Sequence, residues 1–227
     1  MMKIPRLHSW KLTPKEAVAL QRRLADRIDR TWPLGRCDLI AGADVSCNRF
    51  GHVIVAGVVV WRATDGAVLE RRSVVAEVDF PYIPGLLTFR EAPATIRAFR
   101  KIRLRPDIVL IDGHGFSHPR RIGLASHVGL WLGVPTVGCA KTRLCGTFEP
   151  PAVKFGASQP LTDHGEVVGA VVRTKPRAHP LFVSTGNLIN TAGAVKAVLT
   201  AIRGYRLPEP TRLAHLFVNE ERRKRLG

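Results

Sequence analysis

Two short apolar runs in this chain each end beside a residue able to do chemistry. Ile108-Val109-Leu110-Ile111 is apolar without alternation, lies between Asp107 and Gly113, and is followed directly by Asp112. An unbroken β-branched run predicts a strand buried on both faces. A second such run covers 135–139, with Lys141 just beyond it. Between them a helix is expected over 119–132, with Ser117 as N-cap and Pro119 in the first turn. Arg120 and Arg121 then stand beside the helix's positive terminus and form an anion site. Open α/β sheets bind ligands in the crevice past the carboxyl ends of parallel strands. Asp112 and Lys141 are expected to flank one such crevice.

The rest of the pattern supplies the frame. Thr13 and Glu16 form a capping-box pair, and Ala17, Leu20, Leu24 and Ile28 recur at helical spacing, predicting a helix that packs on the domain edge. Strands are expected over 39–43, 52–61 and 68–78, with Asp44 at or near the middle or end of the first. The Asp65-Gly66 turn joins the last two into an antiparallel meander. A helix over 89–102 and the two buried strands follow as parallel crossovers. The fold class is therefore α/β, with a mixed central sheet flanked by helices. Further strands are expected over 167–172 and 181–184, and a helix over 190–202 ended by Gly204. Pro208 and Pro210 precede a last helix over 211–219, and the basic tail at 220–227 reads as a frayed end. No repeat or linker divides the chain, so a single domain over 1–227 is expected.

Charge narrows the partner. The 227 residues carry 35 Lys and Arg against 18 Asp and Glu, a formal net charge of +17. An excess of that size points to a polyanion, nucleic acid ahead of a membrane surface. Cys37, Cys47, Cys139 and Cys145 include no Cys-x-x-Cys pair, which argues against structural zinc. The N-terminal stretch has no apolar run of signal-peptide length, and no stretch approaches membrane-span length, so a cytoplasmic protein with reduced thiols is expected.

A basic protein with clustered acids suggests metal-assisted chemistry on phosphate. If the first and fourth strands are neighbours, Asp44 and Asp112 face one gap, and the start of the following helix brings Glu91 over it. Clustered carboxylates repel unless a cation joins them, and oxygen ligands suit Mg²⁺ or Mn²⁺. Each residue also has a plainer reading. Glu91 can close a capping box with Thr88, which spacing alone favours. Asp44 can be a strand-end residue, Lys141 a solvated lysine, and His114, His118 and His127 core or surface histidines. In Pro81-Tyr82-Ile83-Pro84-Gly85 two prolines stiffen a loop with an aromatic tip. Such a loop can wedge into a base stack, or can be a connector whose tyrosine packs on the core.

Longer motifs sharpen these alternatives. GADVS around Asp44, PYIPGLLTFRE from Pro81 to Glu91, DGHGFSHPRRIGLASHVG from Asp112 to Gly129, GCAKTRLCGTFEP and GYRLPEPTRLAH closely resemble the endonuclease V family. The resemblance implies a ribonuclease H-like fold and a Mg²⁺-dependent endonuclease, with Mn²⁺ able to substitute. It implies recognition of deoxyinosine in DNA and a nick at the second phosphodiester bond 3′ to the lesion, leaving 3′-hydroxyl and 5′-phosphate ends. Asp44 and Asp112 would hold the metal, and Glu91 a second cation or the water. Lys141 would stabilise charge at the phosphate, and His215 would position water or metal. Pro81, Tyr82, Ile83 and Pro84 would form a strand-separating wedge. Gly85, Leu87, Gly113 and Gly138 would line the base pocket, and His118, Arg120 and Arg121 would hold phosphates. A monomer is expected, and inosine in RNA stays open as the substrate.

Overall fold

The computed structural model describes residues 1–47 and 51–226. Its elements run α1 (Pro14–Ala25), β1 (Leu39–Cys47), β2 (Val53–Arg62), β3 (Val68–Glu77), α2 (Leu87–Lys101), β4 (Ile108–Ile111), α3 (Leu124–Leu132), β5 (Thr136–Ala140), β6 (Ser158–Asp163), β7 (Glu166–Val172), β8 (Leu181–Asn187), α4 (Thr191–Thr200) and α5 (Glu209–Leu226). One eight-stranded sheet has the order β3-β2-β1-β4-β5-β8-β7-β6. The β1-β2-β3 meander is antiparallel, β1, β4 and β5 are parallel, and β8 returns antiparallel to β5. Meander followed by parallel crossovers is the order expected from the pattern, and it agrees with the ribonuclease H-like fold that the resemblance implies. The first and fourth strands are indeed adjacent, pairing Ala43 with Ile111.

The pleat divides the core. Ala41, Ala43, Val109 and Ile111 face the layer containing α2 and α3, while Ile40, Ile108 and Leu110 face the layer of α4. Ile108, Val109 and Leu110 are fully buried, each such large side chain contributing about 1.5–3 kcal/mol. Helix α5 packs on β1 and β2 with little space between backbones. A Cβ on Gly42 would lie 2.0 Å from the Pro210 carbonyl oxygen, and one on Gly57 would lie 2.5 Å from Val218 Cγ1. Only a side chain of a single hydrogen allows that approach.

Several local expectations are corrected. Residues 117–123 are not helical: α3 begins at Leu124 with Gly123 as its N-cap, so Arg120 and Arg121 lie on the preceding loop and not in a first helical turn. Arg121 has φ 60°, outside the right-handed region, and its guanidinium is drawn to Asp163 and Glu166. Thr88 lies inside α2, whose N-cap is Leu86 without a side-chain cap, so the Thr88–Glu91 capping box does not form. Strand β6 escaped the pattern because it is polar, carries Pro160 and lies at the sheet edge, where a missing N–H is tolerated. The basic tail is helical to Leu226, held by Lys224–Glu220 and Arg225–Glu221 pairs at i,i+4 spacing; Gly227 lies outside the described residues. Among the described residues no helix is long and apolar enough to cross a membrane.

Candidate active site

The site forms where β1 and β4 deliver their aspartates side by side. Asp44 lies within β1, two residues beyond Gly42 and opposite Gly57 in register, so it shares the sheet face that α5 covers. Asp112 follows the last residue of β4 and donates its backbone N–H to the Ala43 carbonyl at 3.2 Å. The close seating of α5 brings His215 down on the pair. Ligand atoms of Asp44, Asp112 and His215 all lie within 4.8 Å of one another.

His215 is fixed by partners on both ring nitrogens. Its Nδ1 is 2.7 Å from Asp44 Oδ2, and its Nε2 is 3.2 Å from Asn219 Nδ2. The Asn219 amide can only donate there, so Nε2 accepts and the neutral ring donates from Nδ1. Ser46 Oγ donates to Asn219 Oδ1 at 2.7 Å and completes the chain. Asn219 and Ser46 were missed in the sequence. The available signals were the i,i+4 spacing from His215 and the i,i+2 spacing from Asp44.

Electrostatics mark the acids as strained by proximity. Burial and then the Asp112 charge raise Asp44 to about 6, against the His215 hydrogen bond. Burial and the charges of Asp44 and Asp112 raise Glu91 to about 8. Glu91 thus feels both aspartates from α2, although it is outside the Asp44–Asp112–His215 cluster. Lys141, one residue past β5, donates from Nζ to Asp112 Oδ2. Behind it, Arg206 donates to the Lys141 carbonyl at 2.7 Å and the Pro180 carbonyl at 3.0 Å. Two repelling carboxylates on converging atoms, one of them held by an imidazole, fit a hard divalent cation, whose charge would relieve the repulsion.

Beside this cluster lies a cavity of about 260 Å³. Its walls are the 82–88 segment on one side, Gly113, His114, His118, Gly123 and Leu124 on another, and Thr142, Arg143 and Leu144 on a third. A volume below the roughly 300–1,000 Å³ of drug-sized sites suits one small flat group. The structure places Tyr82, Ile83, Pro84, Gly85, Leu87, Gly113 and His118 on the cavity. Gly138 is a correction: it does not line the cavity. It lies behind the wall, where a Cβ would meet Gly115 N at 2.5 Å and Gly113 O at 2.6 Å. Leu144, 43% exposed at the rim, was not singled out because an isolated leucine carries no spacing signal. A larger cavity of about 420 Å³ opens near Trp10, Phe80 and Arg97 and includes none of the clustered acids.

The stiff loop is a turn with defined chemistry. Leu86 N–H donates to the Ile83 carbonyl at 2.9 Å, with Pro84 and Gly85 in the middle and Gly85 at φ 78°. That is a proline-glycine turn of the type needing a positive φ at its third residue. Tyr82, one residue before it, is 38% exposed. The basic residues thought to hold phosphates are engaged within the protein. His118 Nε2 donates to the Gly85 carbonyl at 3.0 Å while its Nδ1 accepts from Arg120 N–H at 3.1 Å. Burial and the Arg120 charge hold His118 near 4, so it is neutral at pH 7. Arg120 donates to Gly85 O at 2.7 Å and Gln21 Oε1 at 2.6 Å, and Arg121 is paired with Asp163 and Glu166.

Comparison with known proteins places this geometry among relatives. A family model described as Endonuclease V matches residues 20–216. The chain is 47% identical over 224 residues to "Endonuclease V" of Gloeobacter violaceus, covering 96% of this chain and 90% of that one. The Endonuclease V structure from Bacillus subtilis superposes with a TM-score of 0.92 at 31% identity, covering 98% of each chain. Endonuclease V of Ciona intestinalis, in complex with a 24mer DNA containing an inosine followed by a ribo-adenosine, gives a TM-score of 0.80 at 26% identity over 92% of this chain and 98% of that one.

Proposed function

This chain belongs to the Endonuclease V family, and from that premise we propose that it is a divalent-metal-dependent endonuclease that acts in DNA repair on deoxyinosine. It hydrolyses the second phosphodiester bond 3′ to the lesion and leaves 3′-hydroxyl and 5′-phosphate ends. The observation that carries the reading is the convergence of Asp44, Asp112 and His215 beside a base-sized cavity roofed by a proline-stiffened turn.

Asp44 and Asp112 would hold Mg²⁺, or Mn²⁺ in its place, and His215, donating from Nδ1 to Asp44 Oδ2, would position that carboxylate for it. Bound there, the ion polarises the phosphate, lowers the pKa of water and neutralises the leaving oxygen. Lys141, already on Asp112 Oδ2, is placed to stabilise negative charge at the phosphate. Glu91, close enough to feel both aspartates, would orient the water or bind a second cation. Tyr82, directly before the turn, enters the stack when the damaged base leaves it. Extrusion costs a few kcal/mol and least for a weakly paired base such as hypoxanthine. In the cavity, the backbone at Gly85 and Gly113 reads the base edge, and a donor to O6 separates hypoxanthine from adenine.

The ribo-adenosine after the inosine in the Ciona complex favours a second reading, inosine in RNA as the main substrate. One assay tests both. Purified protein is given inosine, uracil and undamaged duplexes, plus RNA of the inosine sequence, with and without Mg²⁺. Mg²⁺-dependent nicking confined to inosine DNA supports the first reading, and preference for the RNA supports the second. Salt-sensitive binding without strand breaks on any substrate refutes both.

A further inference from the structure

The sequence suggests nothing for α1 beyond edge packing, yet its buried face contains one polar side chain. Ala17, Leu20 and Leu24 form the apolar stripe, and Gln21 lies among them with no solvent exposure. The stripe packs with Phe80, Leu86, Phe89 and Ile122, so it grips the 81–85 turn from both of its flanks. Gln21 then reaches past the stripe. Its Nε2 donates to the Gly85 carbonyl at 3.1 Å and to the Ile122 carbonyl at 3.2 Å, and its Oε1 accepts from Arg120 Nε at 2.6 Å. Both amide protons and the oxygen are used, which is full satisfaction for a buried amide.

The Gly85 carbonyl is where three segments meet. It accepts from Gln21, from Arg120 Nη2 at 2.7 Å and from His118 Nε2 at 3.0 Å. One carbonyl oxygen with three donors is held more firmly than ordinary turn geometry requires. Gly85 itself closes the turn that starts at Ile83, one residue after Tyr82. A buried apolar residue at position 21 would fill the same space and leave this carbonyl to Arg120 and His118 alone.

We infer that Gln21 is a positioning residue for strand opening: through the Gly85 carbonyl it sets the height and direction of the Tyr82 turn against paired nucleic acid. This rests on the wedge reading given above. Substrate that is already unpaired does not need the wedge, so the device acts on duplexes alone. Misplacement by about 1 Å costs up to 10²-fold in an oriented reaction.

The test compares nicking of one inosine-containing strand, paired and unpaired, by wild type, Gln21→Leu and Gln21→Glu, with melting temperatures for each. Gln21→Glu keeps an acceptor for Arg120 but sets a carboxyl oxygen against the Gly85 and Ile122 carbonyls, so it loosens the turn, and the melting temperature reads any loss of fold. The inference expects the paired-to-unpaired rate ratio to fall about tenfold or more in both variants. A structural role alone lowers both rates together with the melting temperature and leaves the ratio unchanged, which overturns the inference. Wild type that nicks neither form overturns the functional reading, and this inference with it.

Discussion

His215 on the last helix donates its Nδ1 proton to Asp44 Oδ2 on the first strand, a 2.7 Å contact between residues 171 positions apart. Gly42 and Gly57 make it possible, since neither leaves room for a Cβ beneath α5. The hydrogen bond to Asn219 then fixes which nitrogen carries the proton.

That relay predicts a role for a residue one contact from the cluster. Asn219→Leu leaves Asp44 and Asp112 intact but frees the His215 ring. Partners that orient a metal's ligands are worth about 10–100-fold in affinity or activity. The Mg²⁺ concentration for half-maximal nicking is expected to rise by about that factor. An unchanged metal requirement in the variant removes the relay from the mechanism.

Removing either end of the Lys141–Asp112 contact should separate binding from chemistry. Asp112→Ala is expected to bind inosine duplex yet nick at least about a hundredfold more slowly, because several kcal/mol of metal-supplied charge stabilisation is lost. Lys141→Met is expected to lower kcat by about 10²-fold or more with little change in KM. Gel-shift and single-turnover measurements on the same substrate check both; normal cutting by Asp112→Ala sinks the site assignment.

Stability without metal should fall as pH rises through neutrality. A carboxyl whose folded pKa exceeds its unfolded value takes up protons on folding, so its contribution is present at low pH and lost as pH rises through the folded value. Glu91, raised from 4.5 to about 8, loses stability across that interval. His114 and His118, lowered from 6.5 to about 4, act in the opposite sense, but only below 6.5. Between pH 6.5 and 8 the Glu91 effect is therefore exposed. In chelator, wild type is expected to lose a few degrees of melting temperature over this interval, at about 2–4 °C per kcal/mol. Glu91→Gln should melt at a constant temperature, and Mg²⁺ should flatten the wild-type curve.

Gly138 should matter although it touches no part of the cavity. Gly138→Ala places a Cβ 2.5 Å from Gly115 N and 2.6 Å from Gly113 O, both backbone atoms. Relief requires the 113–115 wall to move, at a cost of about 1–3 kcal/mol. Reduced melting temperature and reduced inosine nicking are expected together. Loss of neither shows that the wall has slack.

The sequence by itself determined the meander and the buried strands of the sheet, though not its polar edge strand β6. Short, unbroken, β-branched runs bounded by turn residues favour buried strands, so 108–111 and 135–139 were legible with their terminal Asp112 and Lys141, and the Asp65-Gly66 turn set the meander. Motif-length resemblance added His215, which no periodicity carries, and favoured the functional readings of Glu91 and the proline-stiffened loop over their plainer ones. Tertiary structure decided what depends on atoms far apart in the chain. Whether Arg120 and Arg121 start a helix was settled by Gln21, Asp163 and Glu166, which draw their guanidiniums into a loop. Whether α1 is an edge element or a brace turned on one carbonyl, Gly85 O. A linear pattern records which residues are apolar and how they recur; it cannot record which backbone oxygen a buried amide will find, because that distance exists only once both segments are packed.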